Sequence, residues 1–163
     1  MSGNNFLTAD INDLLLKIGR SLPGSVRIWA TLTGCIFIVS LILPVFSLGS
    51  EKILGIECLA KGGLAIFLDW AALIIWLVNF PFLIGLCISI FKKTSPPILF
   101  YITLLTTFLA LAYLTSGATL CFPRKEGGVC EDVYHFAIGA YVWGLALCLN
   151  VFVQLKNFTK KRS

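Results

Sequence analysis

Charge is scarce in this chain: of 163 residues only 13% are Asp, Glu, Lys or Arg, and 58% are hydrophobic. Soluble domains carry about a quarter charged residues, and so few cannot cover the surface of a globule this small. The shortage excludes an ordinary soluble enzyme, a disordered chain and a nucleic-acid-binding domain. Histidine is scarcer still, with His135 alone in the sequence. Metal centres draw on three or four ligands, and His135 with Glu131 four residues earlier does not make one. Any Ser-His-Asp set would depend on that single ring. No glycine-rich phosphate loop is present, and no cofactor is expected. A further lack is positional: no Asp, Glu, His, Lys or Arg lies inside any of the long apolar runs. Proton relays and ion pathways rely on such groups at membrane depth, which argues against a proton-coupled transporter working alone.

Long apolar runs are what the chain has instead. A helix needs about 20 mainly apolar residues to cross a hydrocarbon core of roughly 30 Å. Four stretches meet that length, over about 28–48, 70–91, 97–116 and 136–155. They predict an all-α integral membrane protein, a four-transmembrane-helix bundle forming a single membrane domain over 1–163. Asn79 and Pro81 lie near the middle of the second stretch. Pro81 leaves the carbonyl of Leu77 without its helical donor, and the Asn79 side chain is placed to satisfy a freed group nearby. The first stretch is too long for a cleavable signal and no A-x-A-like site follows it, so the N-terminus is expected to be retained.

The flanking charges predict orientation. With the N-terminus inside, the inner segments hold nine basic residues: Lys17, Arg20, Arg27, Lys92, Lys93, Lys156, Lys160, Lys161 and Arg162. The outer loops, 49–69 and 117–135, hold four: Lys52, Lys61, Arg124 and Lys125. Basic residues concentrate on the cytoplasmic side of short loops. Both termini are therefore expected in the cytoplasm, in a plasma membrane or bacterial inner membrane. Before the first run, Ile11, Leu14, Leu15 and Ile18 recur at helical spacing, and Pro23-Gly24 ends the pattern. This predicts an amphipathic interfacial helix over about 6–22.

The first outer loop is itself apolar: Ile53, Leu54, Ile56, Leu59, Leu64, Ile66 and Phe67 stand among its charges. Short helical pieces hinged at Gly62-Gly63 are expected, and the apolar side chains are a candidate partner surface. Ala30-xxx-Gly34 and Ala140-xxx-Gly144 are small-xxx-small pairs that permit close helix packing. Thr103 and Thr107, with Thr106 beside them, make a polar face in the third run. It is suited to interhelical hydrogen bonds or, in an oligomer, to lining a pore.

Six cysteines divide evenly. Cys35, Cys87 and Cys148 fall within apolar runs, where cysteine behaves as a small hydrophobe. Cys58, Cys121 and Cys130 fall in the outer loops, where an exoplasmic space or periplasm permits disulfides. Cys121 and Cys130 bracket a short turn-rich loop and are the preferred pair; pairing of Cys58 with either remains an alternative. Four spans, internal termini and outer cysteines resemble the layout of the DsbB-type disulfide-generating membrane oxidoreductases. That resemblance implies thiol oxidation by a Cys-x-x-Cys pair beside a quinone, with a second pair relaying electrons. No Cys-x-x-Cys occurs here, and three outer cysteines do not make two pairs.

The expected function is accordingly non-enzymatic: contacts within the lipid bilayer, with a larger membrane protein or with copies of the chain itself. An accessory or regulatory subunit, or an immunity-type inhibitor, fits the small soluble portions. The alternatives are an oligomeric channel, holin or small carrier, and a thiol-disulfide oxidoreductase. No nucleic acid is expected as partner.

Overall fold

The computed structural model describes residues 14, 25–48, 51–61, 70–91, 95–115 and 135–160, and these are mostly helical. Helix α1 (Val26–Ile42) starts at Ser25, whose hydroxyl accepts from the Arg27 amide at 3.3 Å. Its end is set by Pro44. A proline disfavours helical backbone in the residue before it, and Leu43 is extended at φ −87°, ψ 152°. The chain then forms β1 (Pro44–Leu48) and β2 (Glu51–Leu54), followed by the short helix α2 (Gly55–Lys61). Helices α3 (Trp70–Leu77) and α4 (Asn79–Phe91) flank a one-residue break at Val78. Helix α5 (Pro97–Thr115), strand β3 (His135–Phe136) and helix α6 (Ile138–Lys160) complete the described chain.

Two of these helices, Pro97–Thr115 and Ile138–Thr159, are long and apolar enough to cross a membrane; α1 and α4 are shorter apolar helices. The amphipathic helix expected over 6–22 lies outside the described residues except for Leu14, which is helical and exposed.

One end of the molecule differs from the purely helical expectation. The first apolar run does not stay helical to residue 48, and the outer loop does not begin with helical pieces. Instead β1 pairs antiparallel with β2 and with β3, giving the order β2-β1-β3. Leu48 pairs with Glu51 at the end of the β1–β2 ladder. On the other side Phe46 pairs with Phe136, their rings 5.3 Å apart, and Tyr113 meets Phe136 edge-on at 5.7 Å. The Ala137 amide donates to the Val45 carbonyl at 2.8 Å, tying the sheet to the start of α6.

Named contacts give the helix directions. Gly34 faces Leu86 while Phe37 meets Phe82 at 4.7 Å, so α1 and α4 are antiparallel. Phe100 stacks on Phe158 while Gly144 faces Leu114, so α5 and α6 are antiparallel as well. Trp143 meets Asn79 and Gln154 meets Ser89, so α4 and α6 run parallel, away from the sheet. Helix α6 is central and packs on α1, α4 and α5. Phe37, Val78, Phe82, Leu86, Ala146 and Leu147 are among the apolar residues that fill the core.

Large apolar side chains are exposed as well as buried, and several polar ones are buried beside the apolar core. Phe91, Phe108, Ile42 and Ile28 are 79%, 68%, 67% and 66% exposed. Thr33, Ser40, Ser89, Thr103, Asn150, Gln154 and Asn157 are buried. These buried groups all take part in hydrogen bonds within the chain, whereas exposing so many large apolar side chains to water would be unfavourable.

Candidate functional site: the polar seam between α4 and α6

On α6, Trp143, Leu147, Asn150, Gln154 and Asn157 follow one another by three or four residues and so share a face. Asn79, Phe82, Gly85 and Ser89 do the same on α4. Because the two helices are parallel, the two rows meet in sequence order. At the sheet-ward end the Trp143 indole Nε1 donates to Asn79 Oδ1 at 2.9 Å, and Asn79 Nδ2 donates to the Trp76 carbonyl at 3.0 Å. Asn79 thus bonds the Trp76 carbonyl next to the Val78 break rather than the Leu77 carbonyl that Pro81 frees. One turn further, Asn150 Nδ2 reaches the Phe82 carbonyl at 3.5 Å.

The far end of the seam is an amide–hydroxyl cluster. Gln154 Nε2 donates to Ser89 Oγ at 3.0 Å and to Asn150 Oδ1 at 3.4 Å, and Asn157 Nδ2 donates to Ser89 Oγ at 2.8 Å. Gln154 is 0% exposed, and Ser89, Asn150 and Asn157 are also buried. Gly85 makes the room. A Cβ there would lie 2.8 Å from Gln154 Nε2 and 3.3 Å from Asn150 Nδ2, closer than packed atoms sit.

One atom of the cluster is left over. Gln154 Oε1 is buried with no hydrogen-bond partner among the described residues. Turning the amide over does not remove the problem. It would set Oε1 at the 3.4 Å distance from Asn150 Oδ1, oxygen against oxygen with no proton between, while the Phe82 carbonyl holds Asn150 in its present sense. An unpaired buried acceptor costs about 1–3 kcal/mol.

The residues singled out from sequence are distributed as follows. Ala30 is fully buried, and a Cβ on Gly34 would rest 3.4 Å from Leu86 of α4. Ala140 is buried too, and a Cβ on Gly144 would lie 3.1 Å from Leu114 of α5. Both small pairs thus sit at helix contacts within the chain. Thr103 and Thr107 are buried; Thr103 Oγ1 donates to the Leu99 and Phe100 carbonyls at 2.8 and 2.9 Å. Thr106 bonds the Ile102 and Thr103 carbonyls in the same way. Of the apolar outer-loop residues, Leu54 and Ile56 are exposed, Ile53 and Leu59 are half-buried, and Leu64, Ile66 and Phe67 lie outside the described residues. The Leu59 carbonyl accepts from Trp76 Nε1 at 2.8 Å, which holds α2 against α3.

Cys121 and Cys130 also lie outside the described residues. Cys35, Cys87 and Cys148 carry no disulfide, the first two being exposed. His135 is exposed on β3. In the sequence Asn79, Asn150 and Gln154 stand out as polar residues in apolar runs, whereas nothing there gives a place to Ser89, Gly85 or Asn157. The available signal was the spacing of Asn150, Gln154 and Asn157 along one helical face. Comparison with protein-family models, with curated proteins and with solved structures finds no match to this chain.

Proposed function

We propose that the chain is a polytopic membrane protein acting through protein contacts in the bilayer, as an accessory or regulatory subunit or an immunity-type inhibitor. The apolar exterior carries this reading: exposed Phe, Ile and Leu on the helices, with hydrogen-bonded Ser, Thr, Asn and Gln turned inward beside the apolar core, suit a hydrocarbon solvent. Four spans follow if α1, the broken pair α3–α4, α5 and α6 each cross. At 1.5 Å per residue, the 17 residues of α1 reach roughly 26 Å, close to the hydrocarbon thickness.

The sheet end would then face outside. The opposite end, where α1 begins and α4 and α6 finish, would face the cytoplasm with Arg27 and Lys156 and the basic residues that the sequence attaches there. Leu54 and Ile56, exposed beside the sheet, are the candidate contact to a larger partner. Thr103 and Thr107, buried with Thr103 bonded to its own helix, weigh against a pore lined by that face.

The test is gentle solubilisation of the tagged chain from its native membrane, with mass spectrometry of what stays bound. A larger membrane protein at fixed stoichiometry is expected, and Leu54→Glu with Ile56→Glu should release it. A homogeneous chain that binds nothing would sink the proposal.

A further inference from the structure

The far half of the α4/α6 seam holds an acceptor, Gln154 Oε1, that is sealed from solvent and met by no donor among the described residues. We propose that this position is a hydration site, where a single water molecule donates a hydrogen bond to Gln154 Oε1. Three features select that ligand. The amide sense is held by the run from Gln154 Nε2 through Asn150 Oδ1 and from Asn150 Nδ2 to the Phe82 carbonyl, so the ligand must bring a donor. It must be very small, because Gln154, Asn150 and Asn157 around it are already buried. It must also be neutral. Arg27 at the start of α1 and Lys156 near the end of α6 bring positive charge to this end of the bundle, which disfavours a cationic donor.

Water alone is a neutral donor of that size. Ser89 and Asn157, in the same cluster, supply the further polar surroundings that a buried water needs. The inference rests on the packing of the seam rather than on the membrane reading.

Solid-state NMR of the labelled full chain in liposomes, with polarisation transferred from water to protein, tests it. The Gln154 side-chain amide is expected to gain water polarisation several-fold faster than Ala146 and Leu147 in the apolar core, and Gln154→Leu assigns the signal by removing it. A Gln154 amide as slow as Ala146 overturns the site. Failure of the membrane reading looks different: the exterior positions Phe108 and Ile138 would then also polarise quickly, while the Gln154 rate relative to Ala146 still decides the hydration site.

Discussion

Gly85 is the residue on which the seam depends most directly. Gly85→Ala pushes a methyl to 2.8 Å from Gln154 Nε2. Overpacking of this kind costs about 1–3 kcal/mol, so a clear loss of stability is expected in denaturant or thermal unfolding in detergent; an unchanged midpoint would show that the cluster is loosely held. Ser89→Ala removes the oxygen that accepts from both Gln154 and Asn157 and strands two buried donors. A loss of about 1–3 kcal/mol is expected. The Trp143→Phe variant keeps most of the ring and loses only the bond to Asn79. Its expected effect is the smaller 0.5–1.5 kcal/mol of one ordinary hydrogen bond, about half that of Ser89→Ala in the same assay. Asn79, Asn150 and Gln154 were conspicuous in the sequence because polar side chains in apolar runs need partners. Who those partners are was not, since Ser89 looks like any other small residue of a helix.

At the scale of elements, prolines and glycines were informative wherever their effect is local. Pro44 ends α1 because it acts on the residue directly before it, and Pro81 with Asn79 marks the break in the second run for the same reason. Gly55 is different. A Cβ there would collide with the Ser40 carbonyl oxygen and come within 2.8 Å of Leu41 Cα, so α2 packs directly on the backbone of α1. Backbone cannot step aside as a flexible side chain can. Gly55→Ala is therefore expected to displace α2 and weaken the Trp76–Leu59 bond, seen as a shift in Trp76 fluorescence and faster hydrogen exchange over 55–61. Unchanged spectra would mean that the two elements separate without consequence. In contrast, Thr103→Val is expected to change stability by less than about 1 kcal/mol, because its hydroxyl serves its own helix.

For the whole molecule, the distribution of polarity makes the strongest demand. Phe108 is 68% exposed on α5, facing lipid in the proposed arrangement. A charge at the middle of a bilayer costs about 2.5–3.5 kcal/mol on insertion scales. Phe108→Asp is therefore expected to reduce the membrane-integrated fraction in alkaline extraction, whereas the same change in a water-soluble fold would improve solubility. The exterior was legible from composition alone. The choice of which residues turn inward was not, because the apolar helices are greasy on every side and periodicity does not pick a face.

What the sequence determined by itself was the set of apolar segments, the places where proline stops or breaks a helix, and the clustering of basic residues before residue 28, at 92–93 and after residue 155. These depend on residues close together in the chain. Tertiary structure alone decided two things. One is the sheet, where Phe46 finds Phe136 and Ser47 finds His135 across most of the chain's length; a two-residue strand has no pattern to announce it. The other is the parallel meeting of α4 and α6, helices separated in sequence by α5 and β3. Only when those two helices lie side by side in that direction does the row Asn79, Phe82, Ser89 fall opposite Trp143, Asn150, Gln154, because hydrogen bonds between non-adjacent helices are set by how the bundle packs.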